Sequence, residues 1–220
     1  KRRDINLSFF LNMYFIKTPK IARSILKKAV WTIPNKDRRI FLTFDDGPTS
    51  SITSQTLDIL REHKIQATFF CLGSQVEKHP ELFKRIIDEG HTVGNHSYSH
   101  LKGWTTNNNE YIEDVKKGQS LANSKLFRPP YGKIKRSQVN ALNSGTKIIL
   151  WDVLPGDFSP KNNIEKIVSN TLNSVESGSI IVLHDNNKCG NKMLQALPNI
   201  IDKLKEKKYS FTPITEQILS

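Results

Sequence analysis

Asp45 and Asp46 stand side by side in TFDDGP, between an apolar run and a Gly-Pro turn. Like charges held this close raise each other's pKa, so a cation must offset the cost or the two side chains must diverge. HSYSH sets His96 and His100 four residues apart. On a helical turn such a pair faces one way and can share a metal. With Asp45 or Asp46 as a third ligand, the set suits a divalent transition metal and leaves positions for water and substrate. Successive side chains of a strand point to opposite faces. One aspartate can therefore bind the metal while the other faces the substrate, as a general base toward an activated water. Further reactive groups follow: Arg128 in RPPYG, Trp151, Asp152 and Asp157 in WDVLPGDF, and His184 and Asp185 in IVLHD.

The elements that must position these groups alternate regularly. Strand patterns, rich in β-branched and aromatic residues, cover 39–44, 66–73, 91–97, 125–130, 147–153, 179–185 and 209–214. Helical patterns separate them at 53–64, 79–90, 108–123, 136–145, 163–178 and 192–208. Alternation of this kind predicts an α/β fold with a parallel sheet. The strands are short and apolar on both faces, as strands buried under helices are. A distorted, incomplete (β/α) barrel of about seven parallel strands with outer helices fits this order, and a doubly wound open sheet competes with it. In either architecture the carboxyl ends of the strands carry the site. Asp45, His96, Arg128, Trp151 and His184 all fall there.

The bulk composition is that of a globular chain: 220 residues, 37% hydrophobic and 25% charged. The formal net charge of +12 favours an anionic partner without saying which. No zinc-finger spacing, aromatic RNP-type motif or continuous basic helix accompanies it, which argues against nucleic acid. Two cysteines, Cys71 and Cys189, without a CxxC pattern exclude a disulfide framework and a thiolate zinc site. Pro34 to Asp37 divides a 1–36 arm from a 37–220 catalytic domain. The arm carries an apolar run at 7–16 with no small-residue cleavage site after it. Its 21–30 stretch has apolar and basic residues at helical spacing, as for a helix packed on the domain or touching an anionic membrane surface. No run is long and apolar enough to span a bilayer. These features predict a monomer that is cytoplasmic or membrane-peripheral.

TFDDGP, HSYSH, RPPYG, WDVLPGDF and IVLHD occur in the order of the motifs of the polysaccharide deacetylases, the carbohydrate esterases with a NodB homology domain. The chain resembles that family from about Arg39 to its C-terminus. The resemblance implies a distorted (β/α) barrel and hydrolysis of an acetyl group on an amino-sugar polymer, such as peptidoglycan, a chitin-like chain or poly-N-acetylglucosamine, through a metal-bound water. It implies Asp46, His96 and His100 as ligands of a divalent metal, commonly zinc, with cobalt or nickel as alternatives. Asp45 resembles the general base and Arg128 the cation that orients it. The backbone N–H of Tyr131 resembles the oxyanion donor. His184 resembles the general acid and Asp157 the carboxylate that holds it. Pro129, Trp151 and Val182 are implied around the substrate, the last two lining the acetyl pocket. Phe158 stands where the family often has Trp, Leu154 where it often has Asp, and Val182 where Leu is usual. These departures bear on substrate identity more than on the reaction. An O-acetyl esterase acting on xylan-like polymers would use the same residues. A basic carbohydrate- or surface-binding relative without catalysis is the other alternative, against which Asp45 and His184 both stand. The resemblance points to the cell envelope or secretion.

Overall fold

A computed structural model describes residues 14–142 and 145–219. Seven strands form one parallel sheet: β1 (Arg39–Asp45), β2 (Thr68–Cys71), β3 (Thr92–Asn95), β4 (Leu126–Phe127), β5 (Lys147–Ile148), β6 (Ile180–His184) and β7 (Ser210–Phe211). Their order is β5-β4-β3-β2-β1-β6, with β7 beside β1. Among the described residues the helices are α1 (Lys20–Ile25), α2 (Ile52–Glu62), α3 (Gly73–Lys78), α4 (Pro80–Asp88), α5 (Asn108–Ala122), α6 (Arg136–Ala141), α7 (Ile164–Ser174) and α8 (Gly190–Glu206). The alternation expected from the sequence is present. Helix α3 was not anticipated, because its six residues lie inside and just after an apolar strand pattern.

The period of two along each strand sorts the core into layers. Ile40, Leu42 and Phe44 of β1 join Phe69 and Cys71 of β2, Ile181 and Leu183 of β6, and Met193, Leu197 and Ile200 of α8 in one cluster. Phe41, Phe70 and Ile180, one residue out of step, join Leu126 and Ile149 in another on the opposite face. Asp45 therefore continues the inner row of Phe41 and Thr43, and His184 the inner row of Ile180 and Val182. Both parallel rows are buried, which is why the strand sequences show no polar face.

β5 is shorter than the 147–153 strand expected. Beyond Ile148 the chain crosses from β4 to β6. Ile149 N donates to Phe127 O (2.9 Å), Asp152 N and Val153 N donate to Ile180 O (3.0 Å each), and Val182 N donates to Val153 O (3.0 Å). The sheet so curls back on itself as a distorted, incomplete barrel, which rules out the open doubly wound alternative.

The arm preceding β1 lies along this seam. Leu154 N donates to Ile16 O, Thr18 N to Asp152 O, and Val30 N to Ile148 O (2.8 Å each). Leu150 N returns a bond to Val30 O (2.8 Å), and Ile33 N donates to Gly178 O (2.9 Å). Buried Asp152 takes Lys17 Nζ at 2.5 Å, Ser179 Oγ at 2.5 Å and Arg23 Nη2. The helix expected over 21–30 is confined to α1, with Ile21 80% exposed. Backbone pairing competes with the helical pattern here and wins beyond Ile25. The apolar run at 7–16 lies mostly outside the described residues.

Candidate active site

The reactive residues meet at the carboxyl ends of β1, β3, β4 and β6 and on the chain that follows β5. Asp45 ends β1 and its register partner on β6 is His184. Asp46 follows with φ of +80°. Strand alternation alone would send Asp46 toward the outer helices. The left-handed backbone breaks that alternation, so Asp46 stays on the side of the histidines, at a cost of about 1 kcal/mol for a residue with a Cβ. Ser97, His100 and Tyr131 also have positive φ, at +67°, +62° and +59°. Four of the eight non-glycine residues with positive φ among the described residues lie here; Arg38, Lys64, Asn123 and Lys208 lie elsewhere, before β1 and at helix ends.

His96 and His100 do not share a helical turn. β3 ends at Asn95, and the HSYSH segment is a loop. Ser97 N donates to Asn95 Oδ1 (2.8 Å), while Tyr98 N and Ser99 N donate to the Asp114 carboxylate on α5 (3.1 Å). Gly118 lets α5 approach this closely, since a Cβ there would lie 2.5 Å from Asn95 Oδ1 and from the Ser97 carbonyl carbon. The loop still brings the two rings to 5.1 Å between centroids. His96 Nδ1 is 2.8 Å from Arg128 O. A carbonyl only accepts, so Nδ1 carries the proton and Nε2 presents its lone pair.

Nε2 of His96 and of His100 lie 3.4 and 3.1 Å from Asp46 Oδ1. One ligand atom from each residue falls within 4.8 Å of the others. Asp46 Oδ1 is buried and has no hydrogen-bond partner, although Oδ2 accepts from Asn186 Nδ2 at 2.6 Å. Burial pushes Asp46 up, but His100 and His96 outweigh it and hold its carboxyl well below the usual range. A buried carboxylate oxygen facing two imidazole nitrogens fits a divalent cation.

Asp45 occupies a different environment. Arg128, fully buried, donates from Nη1 to Asp45 Oδ1 and to Thr43 Oγ1 (2.7 Å each). Nε and Nη2 are spent on Ile149 O and Leu150 O (3.2 and 3.3 Å), and the guanidinium lies 4.0 Å over Phe70. Burial lowers the pKa of Arg128, with the Asp45 charge opposing. Asp45 Oδ2 reaches to 4.0 Å from His96 Nε2.

On β6, His184 Nδ1 pairs with Asp157 Oδ1 at 3.0 Å, and His184 N donates to Asp157 Oδ2 at 2.7 Å. Burial lowers the pKa of His184, but the Asp157 charge and hydrogen bond prevail and push it up to about 10. Val182, buried, shares the inner row with His184. Trp151 lies beside Gly132 and 5.9 Å from the Arg128 guanidinium. Tyr131, in the Pro130–Gly132 turn that follows Pro129, sets its ring 4.6 Å from that of His100.

Sequence reasoning missed Asn186, whose only signal was its place two residues after His184. Asp185 was noted at the end of its strand but given no role. It accepts from Gly47 N (3.0 Å) and Thr53 Oγ1 (2.5 Å), and burial pushes it up to about 7. Gly47 admits it, because a Cβ would lie 2.2 Å from its carboxylate. Cys71 and Cys189 are both buried and free.

The model of the family described as polysaccharide deacetylase matches residues 32–146. A peptidoglycan-N-acetylglucosamine deacetylase of Bacillus cereus is 34% identical over 194 residues, 84% of this chain and 91% of that protein. A chitooligosaccharide deacetylase of Rhizobium leguminosarum bv. trifolii is 36% identical over 157 residues, 68% of this chain and 72% of its own length. A solved peptidoglycan N-acetylglucosamine deacetylase, Bc1960, in complex with 4-naphthalen-1-yl-N-oxidanyl-benzamide, overlays with a TM-score of 0.82 at 33% identity, covering 90% of this chain and 95% of that one. Fold, motifs and relatives agree: the chain belongs to the polysaccharide deacetylase family and is a hydrolase.

Proposed function

We propose that this chain removes acetyl groups from an N-acetylated amino-sugar polymer of the cell envelope, with zinc held by Asp46, His96 and His100. The observation that carries the reading is the buried, unpaired Oδ1 of Asp46 facing two imidazole nitrogens, one strand end from a second aspartate bound by arginine. A bound divalent cation supplies a lowered water pKa and positive charge for the developing oxyanion.

The residues of the chain do the rest. Asp45 takes a proton from the attacking water at Oδ2, the oxygen that Arg128 leaves unengaged. Arg128 holds the Asp45 carboxylate in place through a charge-assisted hydrogen bond. The Tyr131 amide, beside His100, donates to the acetyl oxygen as charge builds on it. His184, protonated through neutral pH, hands its Nε2 proton to the leaving nitrogen, because an amine anion leaves poorly. Asp157 fixes the tautomer and orientation of that ring. Val182 and Trp151 enclose the acetyl methyl group, with Pro129 at the edge of the same wall.

Peptidoglycan and chitooligosaccharides are the substrates favoured by the names of the relatives, and the net charge of +12 suits an acidic wall polymer. No described helix is long and apolar enough to cross a membrane. We assign residues 1–36 as an arm and 37–220 as the catalytic domain, with 16–33 serving as part of the barrel wall. The test is acetate release from peptidoglycan, chitooligosaccharides, poly-N-acetylglucosamine and acetylated xylan, each with chelator and with zinc restored. Zinc-dependent release from an N-acetylated polymer is expected. Release from xylan alone would reassign the substrate, and release from none would overturn the reading.

A further inference from the structure

We propose that the N-terminal arm completes the substrate groove: Tyr14 and Phe158 form an aromatic rim beside His184 that stacks on a sugar unit neighbouring the one being deacetylated. The inference rests on the deacetylase reading of the site. Three rings run in series from the acid outward. Phe158 meets His184 edge-on at 5.4 Å between centroids, and Tyr14 meets Phe158 edge-on at 5.0 Å. The outer two remain 40% and 37% exposed. Large aromatic surface left open beside a polar cleft marks a contact for a ligand.

The rim is built. The Tyr14 hydroxyl accepts from buried Asn162 Nδ2 at 2.8 Å, and Asn162 also donates to Gly156 O at 2.9 Å. Gly156 leaves the room this needs, since a Cβ there would lie 2.5 Å from the Tyr14 hydroxyl. Ile16, two residues on, is tied by its carbonyl to Leu154 N. Tyr14 is thus held from both sides on the loop that carries Asp157. A pyranose presents an apolar C–H face, which covers an aromatic ring at little desolvation cost. His184 delivers its proton to the amino nitrogen, so rings beside it stand close to the sugar that carries that nitrogen and within reach of the next unit. Tyr131, 57% exposed against His100, gives the groove a second aromatic wall.

The experiment is steady-state deacetylation of N-acetylglucosamine and of its hexamer by the zinc-loaded protein, comparing wild type with Tyr14→Leu and Tyr14→Phe. Leucine keeps an apolar side chain against Phe158 without a ring face; phenylalanine keeps the ring and loses only the bond to Asn162. Tyr14→Leu is expected to raise KM for the hexamer about fivefold, the size of one lost aromatic contact, with a smaller rise for the single sugar, which has no neighbouring unit. Tyr14→Phe is expected to restore most of the hexamer KM, and the pH profile of kcat is expected to stay in place. An equal effect on both lengths, or a shifted pH profile, would overturn the rim and leave Tyr14 as a support for His184. Wild-type turnover with no change in either variant would overturn it too. Wild type releasing acetate from neither substrate would instead overturn the reading of the site.

Discussion

Asn186 donates a 2.6 Å hydrogen bond to Oδ2 of Asp46 and so turns the other oxygen, Oδ1, toward His96 and His100. The consequence is a ligand carboxylate whose orientation is set before any cation arrives. Supports of this kind are worth about tenfold or more in metal affinity. Asn186→Ala should weaken zinc binding by about tenfold, read by competition with a chromophoric chelator. An unchanged affinity would show that the histidine loop alone positions the site.

The two aspartates separate by variant. Asp45→Asn should lower acetate release by about a hundredfold or more while zinc stoichiometry holds, since its loss removes a proton acceptor. His96→Ala should lose both zinc and turnover. The decisive pair of measurements is metal content and rate on the same preparation. Loss of zinc from Asp45→Asn, with retention by Asp46→Asn, would reverse the two roles.

For pH dependence the sign follows from His184. Its pKa is pushed up to about 10 by Asp157 against the effect of burial, above the ordinary value of about 6.5. The proton it must donate is therefore present across neutral pH and lost as pH rises through about 10. The stability it contributes is complete below about 6.5 and disappears over the same rise. Asp157→Asn removes the anion and leaves burial to act, so the alkaline limb of kcat should move down by about one pH unit or more. A limb that stays where it was would assign the acid to another group.

The arm has its own test. Asp152 is buried and compensated by Lys17 and Arg23, which are 35% and 21% exposed at the side chain. Solvent discounts such pairs, so the loss on Asp152→Asn should be about 2 kcal/mol, below that of a fully buried bridge. Urea unfolding should show a lower midpoint at an unchanged slope. A midpoint within error of wild type would mean that backbone pairing holds the arm without the charges.

The placement of chemistry at the strand ends was legible because apolar strand patterns stop abruptly at Asp45, Arg128 and His184, and parallel α/β folds build sites at that edge. The local geometry was not. HSYSH reads as a helical pair, but positive φ at Ser97 and His100 makes it a loop, and that depends on Asp114 and Gly118 of a helix further along. Alternation along β1 separates Asp45 from Asp46 on paper, whereas the φ of Asp46 keeps both on one side. What distinguishes them is the partner each meets, Arg128 for one and Asn186 for the other, at sequence separations of 83 and 140. No local pattern carries that information. The arm was only partly legible for the same reason: its helical spacing was visible, its pairing partners were not.

Those partners tie two distant stretches of the described chain together. The bonds from Lys17 to Asp152 and Ser174 span 135 and 157 residues. Contacts of such sequence separation slow folding. Residues 16–33 pair with β5, with the segment after it and with the turn that leads into β6, so a lesion in either stretch would disturb the same seam.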